Sequence, residues 1–559
     1  MGNEQSTLQK EGYTIEKETE NWVTATKDGD RFFIRTMKIS PNATLISEME
    51  TLNAIIHPHV TSTKNSFKDE DHDVYYLVAE HCHGGSLAEK TKGTILDESQ
   101  ILSWIVEICM ALRTIHENGL FHKNLTPQNI FFTELGTLRL GGFGKLEGKY
   151  CITPINYKHI KCIYTVQYTV CIYKCCVCCL HSNVSSGGEA INYLAPEVFT
   201  SATYDTKSDI WSVGCILYEL FTQKLAFSAE TTVDLNPRII SGPVPRLQDK
   251  WSSEFQELFS DILQRDPNSR PTTYEILGRP IVLQCLLKKS KTTAEHLQTQ
   301  LGKLRAVADS LENVHQGATI GSLAGGVIGA AGGITSIVGL VLAPFTLGTS
   351  LIVTGVGIGV GVAGGVTAGA SNITNMVNQA SDRKAVQSII KEFDEKMNAV
   401  ALWLQEISKS LETINRGCSG DVPTDEDSSL NQENFAKVGT RIGRGLGGVS
   451  ELFRVLRVVN IGKIAAQASR TVRLAEVATG ALSALFVAAD IFFIAMDAKE
   501  IHHIRQTTAD GQTCSEIMKF VHSVRQTADE LQGSLDEIKG LIHIIPFLED
   551  ERELEWECM

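Results

Sequence analysis

The sequence predicts a multidomain protein in which an α+β domain precedes an all-α helical domain with an apolar, glycine-rich helical hairpin. At 559 residues the chain is too long for one hydrophobic core. The composition changes after about Lys289, and residues 313–381 contain no Asp, Glu, Lys or Arg. We therefore expect a leader at 1–10, an α+β domain at 11–288 and a helical domain at 289–559, with an acidic linker at 417–434.

Short strands and one helix are expected in the first part of the α+β domain. The segments Tyr13–Ile15, Trp22–Ala25 and Arg31–Met37 are apolar or alternate in polarity, as strands do. A helical stretch over Ile46–Ile56 ends before Pro58, because proline cannot continue a helix.

Helices are expected in the second part of this domain. The apolar residues of the stretch Glu98–Asn118 recur on one helical face. They are Ile101, Leu102, Ile105, Ile108, Leu112 and Ile115. Loops and short strands are expected over Leu120–Phe143, and further helices over Asp209–Phe221 and Ser253–Arg265.

Several short motifs follow one another in the order and spacing of a protein kinase. They are Phe32-Phe33-Ile34-Arg35, Glu48, His122-Lys123-Asn124, Asn129, Gly142-Phe143-Gly144, Ala195-Pro196-Glu197, Asp209-Ile210-Trp211-Ser212-Val213-Gly214 and Arg270. With Cys82-His83-Gly84-Gly85-Ser86-Leu87 and Gln128-Asn129-Ile130-Phe131, residues 11–288 resemble the NIMA-related (NEK) Ser/Thr kinase family. The resemblance implies a two-lobed kinase fold with a nucleotide cleft near Glu80 and Cys82.

The residues that would perform phosphoryl transfer are replaced. This reaction needs a glycine loop over the phosphates, a lysine on them, an aspartate beside the accepting hydroxyl and an aspartate on Mg²⁺. No glycine lies between Tyr13 and Ala25, and Arg35 stands at the lysine position. Asn124 stands at the base position, and its amide cannot take up a proton as a carboxylate does. Gly142 stands at the metal-binding position and has no side-chain ligand.

Two further catalytic positions differ in what they retain. Thr126 replaces a lysine that the family usually has, and Asn129 is the one metal-ligand position left. The sequence leaves binding of ATP and Mg²⁺ open, but the absent glycine loop weighs against tight binding. We expect a pseudokinase, with a weakly active kinase as the alternative.

The residues that support the kinase fold are retained. Glu48 is expected to pair with Arg35, and Glu197 with Arg270 in a buried ion pair. Asp209 is expected to brace the catalytic loop. Fold support kept and chemistry lost is the pattern of a pseudokinase, which would act as a binding or regulatory module.

A segment rich in Cys, Tyr, Ile and Val interrupts the region of the activation loop. It covers about residues 150–190 and contains Cys175-Cys176-Val177-Cys178-Cys179. This spacing does not suit zinc, whose ligands come in two separated pairs. We expect no metal site, and either translated non-coding sequence or a disordered insertion.

Two glycine ladders mark the uncharged run of residues 313–381. In each, a glycine recurs every four residues, on one face of a helix, and small faces let helices approach closely. The ladders are Gly321, Gly325, Gly329 and Gly333, and Gly357, Gly361, Gly365 and Gly369. With a turn at Pro344, the run predicts two membrane spans, and a buried soluble hairpin is the alternative.

The stretch Leu304–Ile320, followed by Leu340-Val341-Leu342-Ala343-Pro344 and by Val477–Lys499, resembles the apolipoprotein L family over about residues 295–545. The resemblance implies lipid binding, membrane insertion and, in some members, ion conduction. Asp490 and Asp497 fall in the second apolar segment. Asp490 is either a pore-facing, pH-sensitive group or a solvent-facing residue of an amphipathic helix.

The N-terminal residues bear on where the protein is located, and the net charge bears on its partners. Met1-Gly2-Asn3-Glu4-Gln5-Ser6 fits an N-myristoylation pattern on Gly2, and a flexible leader is the alternative. The first 30 residues show no secretory signal. The net charge of −14 argues against nucleic acid as a partner.

The sequence therefore predicts a protein at the cytoplasmic face of a membrane. Its NEK-like pseudokinase domain is expected to bind a protein partner, and its apolipoprotein-L-like domain to bind and enter lipid. The alternatives are a membrane-targeted Ser/Thr kinase and a lipid transport protein.

Overall fold

A computed structural model describes residues 7–18, 23–38, 44–69, 74–143, 190–201, 203–248, 250–322, 368–419, 461–503 and 510–545. The chain divides into two compact units, of which the first reaches Cys285 and the second begins at Leu286. The sequence predictions for Gly2 and for most of residues 150–190 lie outside the described residues.

An antiparallel five-stranded sheet opens the first unit. Its strands are β1 (Thr14–Glu18), β2 (Val23–Lys27), β3 (Asp30–Lys38), β4 (Thr63–Asp69) and β5 (Val74–Glu80), in the order β1-β2-β3-β5-β4. Asp28 and Gly29 form the two-residue turn between β2 and β3 and have φ angles of 54° and 89°. A tight hairpin turn with two left-handed residues favours this Asp-Gly pair. Helix α1 (Thr44–Ala54) follows β3.

Helices form most of the remaining described residues of the first unit. They are α2 (Leu87–Thr91), α3 (Glu98–Glu117), α4 (Pro196–Thr200), α5 (Thr206–Thr222), α6 (Thr232–Ser241), α7 (Ser253–Ile262) and α8 (Thr273–Leu277). Strands β6 (Ile130–Phe132) and β7 (Leu138–Leu140) pair antiparallel between α3 and α4.

The sequence located the main helices of this unit to within a few residues. All six apolar residues predicted for one face of α3 are buried. Helix α5 begins three residues before the predicted Asp209, because the Asp205 side chain accepts hydrogen bonds from the backbone N–H groups of Lys207 and Ser208. Helix α7 ends at Ile262, three residues before the predicted Arg265.

Four long helices make up the described part of the second unit. They are α9 (Pro280–Ser322), which begins in the first unit, α10 (Ala368–Ser419), α11 (Ile461–His503) and α12 (Asp510–His543). His296 of α9 lies 2.8 Å from Glu392 of α10. Gln387 of α10 donates a hydrogen bond of 2.7 Å to Asp490 of α11.

The remaining contacts close a ring of four helices. The Phe492 ring of α11 stacks on the Phe520 ring of α12 at 4.5 Å between centroids. The Arg525 guanidinium of α12 lies 2.7 Å from the Asp309 carboxylate of α9. Each helix therefore contacts two others, and apolar residues on all four helices are buried.

Candidate functional site

The catalytic loop of the first unit is held by one buried carboxylate, Asp209. It accepts hydrogen bonds from the backbone N–H groups of His122, at 2.9 Å, and Lys123, at 3.2 Å. The His116 ring, at 2.9 Å, and the Tyr204 hydroxyl also bond to it. Burial alone raises the pKa of such a carboxyl, but hydrogen bonding and charge from His116 lower the pKa of Asp209 below its ordinary value. Asp209 therefore fixes the loop as an anion, as the sequence predicted.

The predicted ion pair between Glu197 and Arg270 is present and buried. Two guanidinium nitrogens of Arg270 each lie 2.7 Å from a carboxylate oxygen of Glu197. Ser208 donates a further hydrogen bond of 2.7 Å to Glu197, and the guanidinium lies over the Trp211 ring at 5.1 Å. This bidentate pair joins α4 to the loop before α8.

The helix carboxylate Glu48 is bound by the catalytic loop. Lys123 Nζ lies 3.0 Å from one carboxylate oxygen and 3.1 Å from the other. We expected Arg35 as the partner of Glu48, and sequence reasoning missed Lys123, which is 75 residues away along the chain. Arg35 is buried on β3, and burial lowers the pKa of its guanidinium to about 10.

The residues that the sequence places at the catalytic positions bond to one another. The side-chain amide of Asn124, at the base position, donates to the carbonyl of Gly142 at 3.1 Å. The side-chain amide of Asn129 donates to the Asn124 carbonyl at 2.8 Å, and Gly141 N–H donates to the Asn129 carbonyl at 2.9 Å. The structure thus brings the predicted base and metal positions together, in a network that the chain completes by itself.

Gly142 leaves no room for the side chain that a metal site needs. A Cβ atom added there would lie 2.4 Å from both Cγ and Oδ1 of Asn129. The backbone φ of Gly142 is also +75°, which favours glycine. Thr126, at the position of the family lysine, is buried. Asn129 therefore occupies the space into which an aspartate at position 142 would extend.

The residues at the end of β5 that were predicted to contact a nucleotide contact other residues of the protein instead. A carboxylate oxygen of Glu80 accepts a hydrogen bond of 2.9 Å from the backbone N–H of Ser62 and forms an ion pair with Arg139 of β7. Cys82 is buried. Among the described residues, no cluster of three or more His, Cys, Asp or Glu side chains is arranged to hold a metal ion.

Aromatic rings that the sequence prediction did not single out line the same cleft. Phe33 of β3 lies 4.3 Å from the His81 ring and 5.5 Å from the Phe131 ring, measured between centroids. His81 in turn lies 4.6 Å from the His83 ring. Burial and the neighbouring His83 lower the pKa of His81. The signal in the sequence was the second phenylalanine of Phe32-Phe33, two residues before Arg35.

Two known family descriptions match consecutive parts of the chain. The protein kinase domain matches residues 13–154 and 178–282, and apolipoprotein L matches residues 284–540. The chain carries a protein kinase domain followed by an apolipoprotein L domain. The stretch between the two kinase matches, residues 155–177, lies within the predicted insertion.

Curated relatives of the kinase domain are NEK kinases. Serine/threonine-protein kinase Nek1 of Mus musculus is 31% identical over 274 residues, which are 48% of this chain and 20% of the relative. Nek4 of Mus musculus is 30% identical over 295 residues, or 50% of this chain and 34% of the relative. Nek3 of Mus musculus is 31% identical over 261 residues, or 45% of each chain. The chain therefore spans less than half the length of these relatives.

The apolipoprotein L domain contains one described helical stretch with the length and composition of a membrane span. It is Ala466–Phe492 of α11, with a mean hydropathy of 1.6 and 28% of the apolar window buried. Val477, Val487 and Ile491 on this helix are 60%, 56% and 58% exposed. Large apolar side chains thus face outward from the helical bundle.

The other predicted membrane residues are only partly described. Asp490 is partly buried and bonded to Gln387, and Asp497 lies in α11. Gly321 lies in α9 and Gly369 in α10. The remaining ladder glycines (Gly325, Gly329, Gly333, Gly357, Gly361 and Gly365) and Pro344 lie outside the described residues.

Proposed function

We propose that the kinase domain is a pseudokinase that binds a protein partner, and that the apolipoprotein L domain binds lipid and inserts into membranes. The observation that carries the first part is the network of Asn124, Asn129 and Gly142. It places an amide donor where phosphoryl transfer needs a proton acceptor, and no carboxylate where it needs a metal ligand.

Loss of several independent parts makes the pseudokinase more plausible than a slow kinase. The base position lacks a carboxylate, and the space beside the metal position is filled by Asn129. Phosphoryl transfer depends on several groups that act as a unit, so removal of one of them lowers the activity strongly. The retained ion pairs stabilise the fold and leave its surface free to bind a protein, without the need for ATP or Mg²⁺.

A transfer assay with the full-length chain tests this part. Purified protein is incubated with radiolabelled ATP, Mg²⁺ or Mn²⁺ and a generic Ser/Thr substrate, beside the variants Asn124→Ala and Asn129→Ala. We expect all three proteins to give background label only. Transfer by the unsubstituted chain that either variant abolishes would instead support a membrane-targeted Ser/Thr kinase.

Support for the lipid-binding part comes from the outward face of α11. Val477, Val487 and Ile491 are more than half exposed, and the helix segment from Val477 to Ala489 carries no charge. Exposed apolar surface of this kind is costly in water and is stabilised by contact with lipid. With the possible acyl group on Gly2, this surface would hold the protein at the cytoplasmic face of a membrane.

Flotation of the full-length chain with vesicles of phosphatidylcholine and phosphatidylserine tests membrane binding. We expect the protein to float, and Val487→Glu to reduce the floating fraction. The matched control Gln526→Glu places the same side chain at an exposed position of α12 and should float as before. Protein that stays in the dense fractions, or equal flotation of Val487→Glu, would contradict insertion through this face. Recovery of protein that carries bound lipid but is not attached to vesicles would favour lipid transport.

A further inference from the structure

The five-stranded sheet and α1 are the small lobe of the kinase domain, and the helices and strands from α2 to α8 are the large lobe. The face of the small lobe that meets the cleft can be identified from strand alternation. Residues two apart on a strand point to the same side of a sheet. Phe33 is two residues from Arg35 on β3, so both side chains face the side on which nucleotide phosphates would lie. Phe33 is also paired in register with Ala79, next to Glu80 at the end of β5. Phe33 therefore lies on the roof of the cleft, beside the connection between the lobes.

The same alternation identifies the floor of the cleft. Ile130 and Phe132 of β6 are fully buried, whereas Phe131 between them is partly exposed. Phe131 contacts Phe33 across the cleft, with 5.5 Å between the ring centroids, so it faces the cleft. The place next to the phosphates, where the base would lie, therefore has a phenylalanine ring above it and another below it.

The distance between these rings leaves no room for a base. A planar base between two apolar faces needs about 7 Å, twice the roughly 3.5 Å separation of carbon atoms in contact. The centroids of Phe33 and Phe131 are 5.5 Å apart with an angle of 35° between the rings. This is the geometry of two aromatic side chains in direct contact.

Neighbouring groups hold both rings in place. The His81 ring packs on Phe33 at 4.3 Å. The Phe131 ring lies against the backbone of Gly141, since a Cβ atom added to Gly141 would lie 3.0 Å from Phe131 Cε2. Ion pairs between Glu80 and Arg139 and between Glu48 and Lys123 join the same two lobes on either side. Neither ring can therefore move aside without loss of other contacts.

We infer that Phe33 and Phe131 form an intramolecular plug that occupies the base site and holds the two lobes closed without a nucleotide. The phenyl rings supply the apolar contact between the lobes that a bound adenine would otherwise supply. The domain then presents one closed surface to its partner whether or not ATP is present. Base binding and phosphate transfer are separate readouts, so this inference and the proposed pseudokinase function can fail independently.

Removal of the plug should create a base site. We would measure adenosine binding by isothermal titration calorimetry, because adenosine lacks the phosphates whose contacts are degraded here. The full-length chain should show no saturable binding. The double variant Phe33→Ala with Phe131→Leu should bind adenosine at least about tenfold more tightly, the order of magnitude that stacking of one base contributes.

Phe32→Leu is the matched control. Phe32 neighbours Phe33 on β3 but points to the other side, where its ring packs on Tyr13 at 5.8 Å. It should gain no adenosine binding. If the double variant does not unfold cooperatively, Phe33→Val with Phe131→Leu replaces it, because valine suits a strand.

Three results would overturn the inference. The unsubstituted chain could bind adenosine as tightly as the double variant. A cooperatively folded double variant could gain no binding. The Phe32→Leu control could gain as much as the double variant, which would mean that general loosening of the sheet admits the ligand.

Discussion

The kinase domain contains two sets of charged and polar residues, one that braces the fold and one at the predicted catalytic positions, and their side chains are satisfied in different ways. The bracing set, Glu197 with Arg270 and Asp209 with its donors, is buried and keeps carboxylates with well-matched partners. The catalytic set has exchanged carboxylates for Asn124 and Gly142, which bond to each other. The first set stabilises the fold through contacts between distant elements, and the second forms hydrogen bonds among its own members.

The difference shows what a kinase fold needs from its sequence. A buried carboxylate must have a partner inside the protein, because an unpaired buried charge is strongly destabilising. Catalytic carboxylates instead depend on metal and substrate, so their replacement by an amide and a glycine lets the chain satisfy its own hydrogen bonds. The four changes below break or sharpen this comparison, from the largest expected effect to the smallest.

Loss of the brace should have the largest effect. Arg270→Ala leaves the Glu197 carboxylate buried without its bidentate partner, and we expect a loss of about 3–5 kcal/mol in the free energy of unfolding. This loss is measured by urea denaturation of the full-length chain, with hydrogen exchange of peptides from the kinase domain as the readout. Arg238→Ala is the control, because the exposed side chain of Arg238 donates a hydrogen bond to the Ser228 carbonyl at the surface, and its loss should cost under about 1 kcal/mol. A similar small loss for both variants would contradict the structural role of the brace.

A buried histidine beside Asp209 should make stability depend on pH. Burial lowers the pKa of His122 to about 4 from 6.5. As the pH falls from 6.5 towards 4, the unfolded chain takes up a proton that the folded chain does not, so stability decreases. Below the folded pKa both states are protonated and this contribution to the slope ends. The largest total loss is about 3 kcal/mol.

The variant His122→Gln should flatten the stability profile in that window. Unfolding midpoints measured between pH 7 and 4 would show it. His522→Gln, at an exposed position of α12, should leave the profile unchanged. Equal slopes in His122→Gln and the unsubstituted chain would contradict this assignment.

A methyl group at Gly142 should disturb the catalytic network. Gly142→Ala adds a Cβ atom 2.4 Å from Asn129, and we expect a loss of about 1–3 kcal/mol from overpacking in addition to backbone strain. Gly136→Ala is the control, because Gly136 has a similar φ of +81° but no atom within 4 Å of the added Cβ. Thermal unfolding of both variants separates the two effects. Equal losses would show that Asn129 does not fill this space.

The ion pair between Glu48 and Lys123 should contribute least. Its side chains are 33% and 16% exposed, and partly exposed pairs contribute under about 1 kcal/mol. A double-mutant cycle with Glu48→Gln and Lys123→Gln measures the coupling energy. Exposed Lys224→Gln, cycled with Glu48→Gln, should show none. A coupling above about 2 kcal/mol would place this pair with the bracing set.

The sequence was sufficient for features that depend on local pattern or on motif order. The apolar period of α3 and the motif residues Glu197, Asp209 and Arg270 are of this kind, and the structure shows them as expected. Contacts between distant residues could not be read in this way. The partner of Glu48, the position of Asn129 against Gly142 and the contact of Phe33 with Phe131 depend on how the two lobes pack. The glycine ladders stay a prediction, because most of their residues lie outside the described part of the chain.

Hydrogen exchange of the full-length chain with and without ATP and Mg²⁺ tests most directly whether the chain satisfies its own catalytic cleft. Peptides that contain Arg35, Asn124 and Gly142 report on three of the replaced positions. The account predicts the same exchange rates in both conditions, because the groups that would contact nucleotide already bond within the protein. Slower exchange of these peptides on addition of ATP and Mg²⁺ would contradict it.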